Sequence, residues 1–448
     1  MFAQDTIAAI ATAPGLAALT IVRLSGPEAC RIASECFTGR DLTAVESHTA
    51  NVGMWVGQGG DRIDQVVATV FLAPRSSTGE DVVEITCHGG DYVAALVLQS
   101  MIENGARLAR PGEFTQRAFL SGKIDLAQAE AIADLIHSTS ERAHRTSLAA
   151  YEGHYSEQLE KLRTAILELC ALAELEIDFT DEDVEFVDRA ELRKLVKHAL
   201  NRTGELLRSV RLGTVVREGI RVVIAGRPNA GKSTLLNSLS GRDRAIISEQ
   251  PGTTRDVLEA DAEFEGLRFR FTDTAGLRQS MDVIEQEGVR RAHDMIAKAD
   301  IVVYVYDLVY GLTEEDQDAL KETEERATIL VGNKTDLVKQ HTGKGLLLSA
   351  KGGPNAVIPL VRELVERAAE IFGNPDVSRT VMNARHKNHL RQAHEALLRA
   401  EAALDAQKSP DIFALDLHAA ARELGMITGV ITNETVLGAI FSRFCIGK

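Results

Sequence analysis

The stretch Gly226-Arg227-Pro228-Asn229-Ala230-Gly231-Lys232-Ser233 decides the fold. It is an instance of G-x-x-x-x-G-K-[ST]. An apolar run, Ile220 to Ala225, precedes it, and a helix-like segment, Thr234 to Leu239, follows. Strand, glycine loop and helix N-terminus are the context this motif needs. The glycines let the backbone turn its N–H groups inward around a diphosphate. The helix dipole adds positive potential at the same point. In that setting Lys232 reaches the outer phosphates and the Ser233 hydroxyl ligates Mg²⁺.

Further strand-like runs follow at Phe269 to Thr272, Ile301 to Asp307, Thr328 to Gly332 and Leu346 to Ser349, alternating with helix-like segments. That alternation predicts a doubly wound parallel sheet with ligand loops at the carboxyl ends of its strands. Three motifs fall on such ends. In Asp273-Thr274-Ala275-Gly276, the aspartate suits Mg²⁺ through water and the Gly276 N–H can meet a γ-phosphate. In Asn333-Lys334-Thr335-Asp336, the Asp336 carboxylate accepts hydrogen bonds only, which suits the adjacent N1–H and N2–H₂ donors of guanine and disfavours adenine. Ser349-Ala350-Lys351 closes the base pocket. Between the first two lies Gly252-Thr253-Thr254-Arg255-Asp256, where Thr254 can complete the Mg²⁺ shell. Together and in this order the motifs predict guanine-nucleotide binding.

Hydrolysis is less directly written. Leu277 stands where Ras-like enzymes place a glutamine that orients water. Arg278 and Glu285 lie nearby, but nothing in the spacing forces either into that role. A switch that binds without hydrolysing stays open at this point. Transition-state charge needs neutralising, and the amide oxygen of Asn229 offers a seat for a monovalent cation against the phosphates.

The chain has 448 residues, room for about three domains. Its 45% hydrophobic and 26% charged residues are ordinary for a globular protein. The net charge of −15 argues against a broad, non-specific nucleic-acid binder and against attraction to anionic membranes, while leaving room for a local basic patch. Met1 to Ile10 has neither a basic start nor a long apolar stretch, so no signal peptide is expected. No run approaches the roughly 20 apolar residues of a bilayer span. Cys30, Cys36, Cys87, Cys170 and Cys445 show no C-x-x-C pairing, which predicts reduced thiols and a cytoplasmic protein.

Outside the nucleotide motifs, residues 1–119 read as an α+β domain, with strands at Thr20–Leu24, Gln65–Leu72 and Val82–Cys87. Cys87-His88 is either a reactive pair or simply a strand end; the second reading needs no special environment. From 120 to 213 apolar residues recur at helical spacing: Ile132, Leu135, Ile136, Leu159, Leu162, Ile166, Leu169 and Leu172. The acidic run Asp178, Asp181, Glu182, Asp183 and Glu185 lacks an EF-hand pattern and reads as a connecting loop. Residues 377–448 are again helical, too few for a large core of their own. They are expected to pack on helices of 120–213, leaving 214–376 as an inserted nucleotide domain. The predicted fold class is thus α/β multidomain: an α+β N-terminal domain, an all-α helical domain and an inserted doubly wound P-loop domain.

Read end to end, the chain resembles the MnmE (TrmE) family of tRNA-uridine-modifying GTPases. The carriers are Pro111-Gly112-Glu113-Phe114-Thr115-Gln116-Arg117-Ala118-Phe119, Lys123-Ile124-Asp125-Leu126-Ala127-Gln128-Ala129-Glu130-Ala131, the nucleotide motifs, and the terminal Phe444-Cys445-Ile446-Gly447-Lys448. The resemblance implies a cytoplasmic homodimer formed through a folate-binding N-terminal domain similar to that of the glycine cleavage T-protein. It implies 5-formyltetrahydrofolate or another tetrahydrofolate derivative at Arg23, Glu84, Lys123 and Lys448, with Cys445 nearby. The implied partner is the flavin protein MnmG (GidA), in a heterotetramer. Together the two would add a (carboxymethyl)aminomethyl group to carbon five of the wobble uridine, position 34, of certain tRNAs.

Motifs and resemblance together assign GTP or GDP to Asn229, Ala230, Gly231, Lys232, Ser233, Thr234, Ser248, Glu249, Gln250, Pro251, Gly252, Thr253, Thr254, Asp273, Thr274, Ala275, Gly276, Asn333, Lys334, Asp336, Ser349 and Ala350. Mg²⁺ falls to Ser233 and Thr254. The resemblance implies K⁺ at Asn229, Ser248, Gln250 and Thr253, a water-orienting role for Glu285, and a place near the folate for Cys445; Arg278, close by in the sequence, joins Glu285 and Cys445 as a candidate catalytic residue. One departure is visible: the family's early loop is usually glycine-rich, and here it reads Pro14-Gly15-Leu16-Ala17-Ala18-Leu19.

The rival reading is a regulatory or ribosome-assembly GTPase without modification chemistry. Its mark would be an RNA-binding appendage such as a KH domain, and no such segment follows residue 376. Two basic clusters are candidates for tRNA contact: Arg385, His386, Lys387, His389 and Arg391, and Arg193, Lys194, Lys197 and Arg202. Such runs are usually solvated helix faces.

Overall fold

In a computed structural model of the chain, the described residues are 5–178, 189–241, 258–273, 294–321, 323, 326–339, 342–373, 383–442, 444, 446 and 447. The chain divides into two units, Met1–Ala133 with Ala150–Arg163 and Ala421–Lys448, and Asp134–Ala149 with Thr164–Ala420.

The first unit is built on seven strands: β1 (Ile7–Ile10), β2 (Leu19–Ser25), β3 (Phe37–Thr38), β4 (Thr49–Val56), β5 (Arg62–Phe71), β6 (Val82–His88) and β7 (Arg107–Leu108). They lie in the order β3-β4-β5-β6-β2-β1-β7. Every pair is antiparallel except β1 with β7. From Val66 onward β5 alternates buried and half-buried residues, the signature of a sheet with one covered face. Helices α1 (Ala29–Glu35) and α2 (Asp91–Glu103) provide that cover, burying Ile32, Trp55, Val66, Val70, Ile85, Val97 and Met101 together. The Trp55 indole N–H donates to Ser100 Oγ at 2.8 Å, so the largest core side chain keeps its polar atom satisfied. On the other face α3 (Glu113–Leu120) brings Phe114 onto Ile7, Ala9 and Ala109. Helix α4 (Leu126–Ile136) and the C-terminal helix Glu434–Phe441 then close a small core of Leu126, Ala129, Leu437, Ile440, Phe441 and Phe444.

In the second unit, helices α5 (Glu141–Tyr151), α6 (His154–Asp178) and α7 (Arg189–Glu218) precede a six-stranded sheet, the first two shared with the first unit. Its strands are β8 (Ile220–Ala225), β9 (Leu258–Phe264), β10 (Leu267–Asp273), β11 (Ile301–Asp307), β12 (Ala327–Asn333) and β13 (Leu346–Leu347), in the order β13-β12-β11-β8-β10-β9. All pairs are parallel except β9 with β10. The unbroken apolar runs of β8 and β11 are what a parallel strand covered on both faces requires. One face carries Ile220, Val222, Ile224, Val303 and Val305 against Leu235, Leu239, Leu360 and Leu364 of α8 (Lys232–Ser240) and α10 (Ile358–Phe372). The other carries Val223, Val302 and Tyr304 against Ala299, Ala319 and Leu320, the last two from α9 (Glu314–Lys321). Helix α11 (Ala384–Asp405) packs along α7, with Thr203 Oγ1 and His394 Nδ1 2.7 Å apart and an Arg193–Asp405 ion pair at 2.5 Å.

The fold class is the expected one: an α/β multidomain chain with an α+β sheet first and a doubly wound P-loop sheet flanked in sequence by helices. The strands expected from sequence are present. Strands β1, β3, β4, β7 and β9 are additions to the sequence expectation: β1, β3 and β7 are short, β9 has no β-branched residue, and Asn51 and Gly53 interrupt the run of β4. The acidic run beyond Asp178 lies outside the described residues. Among the described residues no helix is long and apolar enough to cross a membrane.

Candidate functional site

Strand β8 ends at Ala225 and the chain turns at Gly226, whose φ of 140° excludes most side chains. A Cβ at Gly226 would sit 2.0 Å from the Val305 carbonyl oxygen, so the loop can follow β11 this closely only with glycine. Gly231 has the same constraint: φ is 97°, and a Cβ would meet Asn333 Nδ2 at 2.2 Å. Asn229 also takes a left-handed conformation, φ 62°. Lys232 is buried, and its Nζ donates to the carbonyls of Gly226 (2.8 Å) and Arg227 (2.9 Å). The Ser233 hydroxyl donates to Asp273 Oδ2 at 2.8 Å, joining the first residues of α8 to the end of β10.

Asn333 links the phosphate loop to the base side of the site. Its Nδ2 donates to the Ala230 carbonyl at 2.8 Å, and its Oδ1 accepts from the Ala350 amide at 2.9 Å. Lys334, in a left-handed conformation, donates to Asp307 Oδ2 at 2.7 Å. The Ser349 hydroxyl donates to Asp336 Oδ1 at 2.5 Å, and that bond holds the Asp336 carboxyl below the usual carboxylate range. An ionised Asp336 remains an acceptor for two adjacent donors of a purine. Thr234 stands in the first turn of α8, and its carbonyl accepts from Ser238 Oγ at 3.0 Å.

Arg227, within the loop, is an addition to the sequence-derived set. It donates to Thr313 Oγ1 at 3.0 Å and pairs with Glu315 at 3.3 Å. Thr313 and Asp316 exchange hydrogen bonds as a capping box at the start of α9. Asp316 also accepts from Tyr304 OH at 2.9 Å, and burial pushes that phenol's pKa up, Asp316 adding to the shift. The side chain thus ties the phosphate loop to α9 and β11.

In the first unit, Arg23 and Glu84 are opposite residues on β2 and β6. Arg23 Nε donates to Glu84 Oε1 at 2.8 Å, the guanidinium lies 5.6 Å from the Phe114 ring centroid, and NH1 reaches the Gly447 carbonyl at 3.5 Å. The C-terminal tail is held close: a Cβ on Gly447 would lie 2.2 Å from the Ile10 carbonyl oxygen. Lys123 is exposed. A network unmarked in the sequence lies beside this constellation. Glu113 accepts from Arg107 NH2 at 2.6 Å and from the Arg110 amide at 2.8 Å. Arg117, one turn on, bonds Asp5 Oδ1 (2.8 Å) and Glu80 Oε2 (3.0 Å). Burial raises the Glu113 pKa, but the bonds from Arg107 and Arg110 outweigh it and leave it lowered to about 2.

Cys87 and His88 do not pair. The Cys87 thiol is buried and donates to the Thr20 carbonyl, and burial raises its pKa; His88 Nδ1 instead meets Asp64 Oδ1 at 2.7 Å. Leu16, in the departing loop, is almost wholly exposed, and a Cβ on Gly89 would lie 1.9 Å from the Ala17 carbonyl oxygen.

The profile for the "MnmE helical domain" matches residues 126–445, and that for the "GTP-binding protein TrmE N-terminus" matches residues 6–123. The chain is 53% identical to the tRNA modification GTPase MnmE of Salinibacter ruber, covering 100% of both chains. It is 46% identical to the tRNA modification GTPase MnmE of Chlorobium phaeobacteroides, over 99% of this chain and 97% of the relative.

The chain belongs to the MnmE family of tRNA modification GTPases.

Of the residues expected from that family, the structure brings together Asn229, Ala230, Gly231, Lys232, Ser233, Asp273, Asn333, Asp336, Ser349 and Ala350 around the loop, and Arg23 with Glu84. Ser248, Glu249, Gln250, Pro251, Gly252, Thr253, Thr254, Thr274, Ala275, Gly276, Arg278, Glu285, Cys445 and Lys448 lie outside the described residues. Among the described residues no three His, Cys, Asp or Glu side chains converge as a metal centre. The Ser233–Asp273 pair nonetheless offers hard oxygen donors, the kind Mg²⁺ takes. The MnmE signature Pro111–Phe119 gains a physical reading. Gly112 has φ 67°, and a Cβ there would lie 2.5 Å from the Phe441 carbonyl, while Glu113 and Arg117 are the centre of the buried ion network. The cluster on α11 is not a uniform basic face: His386 is buried, and Arg391 is paired with Glu395 at 2.9 Å.

Proposed function

We propose that this protein is a potassium-dependent GTPase that works with the flavin protein MnmG (GidA) on tRNA. Together they add a (carboxymethyl)aminomethyl group to carbon five of the wobble uridine, position 34, drawing on a tetrahydrofolate one-carbon unit. The observation that carries the reading is the convergence of Lys232, Ser233, Asp273 and Asn333 on one loop, joined to membership of the MnmE family. In this reading residues 1–119 bind folate and form a homodimer, and 120–213 with 377–448 form the helical domain. Residues 214–376 are the GTPase domain, and the protein works in the cytoplasm.

Within that reading the loop amides and Lys232 hold the phosphates, and Asp336 selects guanine. Ser233 and Thr254 hold Mg²⁺, which when bound neutralises charge on the phosphate oxygens. Asn229, Ser248, Gln250 and Thr253 offer oxygen donors of the kind K⁺ takes. Glu285 orients the attacking water, with Arg278 beside it. Arg23, Glu84, Lys123 and Lys448 hold the folate, and Cys445 acts near it. Arg23 is suited to an anionic or carbonyl group of such a ligand, because Glu84 and the Gly447 carbonyl fix its plane.

GTP turnover measured in potassium and in sodium tests the cation assignment. Turnover should rise with potassium and stay low in sodium at equal ionic strength. Equal rates in the two salts would remove the potassium role.

A further inference from the structure

Helix α5 begins against the β9–β10 hairpin of its own unit. The first N–H groups of a helix have no partner within it. Here three are met in succession. The Glu141 amide donates to Glu263 Oε1 at 3.1 Å, the Arg142 amide to the Gly266 carbonyl at 3.2 Å, and the Ala143 amide to Ser140 Oγ at 3.2 Å. The third comes from the helix's own N-cap; the first two come from the hairpin, residues more than a hundred positions away. Arg268 of the same hairpin adds a bond to Thr139 Oγ1 at 2.8 Å. Beneath the junction Ala143 packs with Leu212, Val216 and Phe372.

The hairpin is built to be stiff. Its two-residue turn, Glu265-Gly266, has positive φ at both positions, 49° and 77°, the geometry that matches the twist of the flanking strands. The ladder then runs without a break from Phe264↔Leu267 to Leu258↔Asp273. At about 3.3 Å per residue, the six steps between its seven pairs span roughly 20 Å. The other end is the nucleotide end: Asp273 accepts from Ser233 Oγ, and Leu258 follows closely on the Gly252–Asp256 segment. Helix α5, capped by this hairpin, carries residues of both units, Glu141–Ala149 of the second and Ala150–Tyr151 of the first.

We propose that the β9–β10 hairpin is a strut that reports the state of the nucleotide site to helix α5, with Glu263, Gly266 and Arg268 as positioning groups at its far end. The proposal rests on the reading of the site as one for GTP and goes beyond it, because it names the element through which the cycle is felt elsewhere. A shift of Ser233 and Asp273 between nucleotide states is not absorbed in a paired ladder; it arrives at the amides of Glu141 and Arg142 as a made or strained cap.

Hydrogen exchange on the full-length protein, with Mg²⁺ and either GDP or a non-hydrolysable GTP analogue, reads this directly. Exchange at the Glu141 and Arg142 amides should differ between the two nucleotides by about fivefold or more. Glu263→Ala should reduce the difference to under about twofold while leaving nucleotide affinity unchanged. Arg268→Ala should reduce it as well, through Thr139. Equal exchange with both nucleotides demonstrably bound overturns the strut alone. Failure of both nucleotides to bind overturns the GTP reading and the strut with it.

Discussion

Eight consecutive residues, Gly226 to Ser233, carry the phosphate loop, whereas the contacts of Arg23 come from Glu84, Phe114 and Gly447, the last 424 positions away in the chain. The loop's requirements are local. A strand must end, two glycines must take conformations and approaches closed to other residues, and a lysine and a serine must open a helix. The surroundings of Arg23 are set by sheet register and by a C-terminal tail lying against β1. A locally encoded site can be read from a string of letters; one assembled across the whole chain becomes visible only when the fold is known. The two also differ in what supports them. The loop is fixed by backbone and glycine geometry, and Arg23 by its ion pair with Glu84 and its contacts with Phe114 and Gly447.

The largest effect should fall on the loop. Lys232→Ala removes the buried ammonium that the Gly226 and Arg227 carbonyls hold, and GTP turnover should drop by about 10²–10³-fold. Steady-state phosphate release checks this, and turnover within tenfold of wild type would break the assignment. Next comes the network beside Arg23. Glu113→Gln removes one charge from a buried set and should destabilise the first unit by about 3 kcal/mol at neutral pH, read as a lower urea midpoint. The effect has a defined pH dependence. The folded-state pKa of Glu113 is depressed from 4.5 to about 2, so its stabilisation is fully present above pH 4.5 and is lost as pH falls toward 2. Wild type and variant should therefore converge in acid; a constant gap across that range would contradict the ionised state. The smallest effect should come from Glu84→Ala, which leaves Arg23 without its carboxylate partner. Calorimetry with 5-formyltetrahydrofolate should show about tenfold weaker binding, and undiminished affinity would remove Glu84 from the proposed folate site.

Much of the nucleotide domain was legible in advance. Strands β8 and β11 have the expected bounds because an apolar run between turn signals leaves little freedom. The Ser233–Asp273 and Asn333–Ala350 contacts join motifs that the sequence already singled out. Less could be read elsewhere. Strand β9 is rich in acidic residues and owes its pairing to β10, where Asp261 meets Arg268 and Arg270. Arg227 sat inside the motif at a variable position, and only the fold supplied Thr313 and Asp316 as partners. Glu113 and Arg117 stood in a quoted signature, but nothing in the letters says that both are buried and shared with Asp5 and Glu80. His386 looked like part of a basic face and is instead buried; which position of a charged helical run turns inward is set by tertiary packing, which the letters do not carry.

In the proposed function, GTP turnover at the loop and one-carbon chemistry in the first unit serve the same tRNA modification. Mass spectrometry of wobble uridines tests it most directly, in strains whose chromosomal copy is deleted or carries Lys232→Ala or Arg23→Ala. The account predicts that the (carboxymethyl)aminomethyl nucleoside disappears in the deletion strain and falls sharply in both variants. Wild-type levels of that nucleoside in the deletion strain, or in either variant with normal protein abundance, would contradict it.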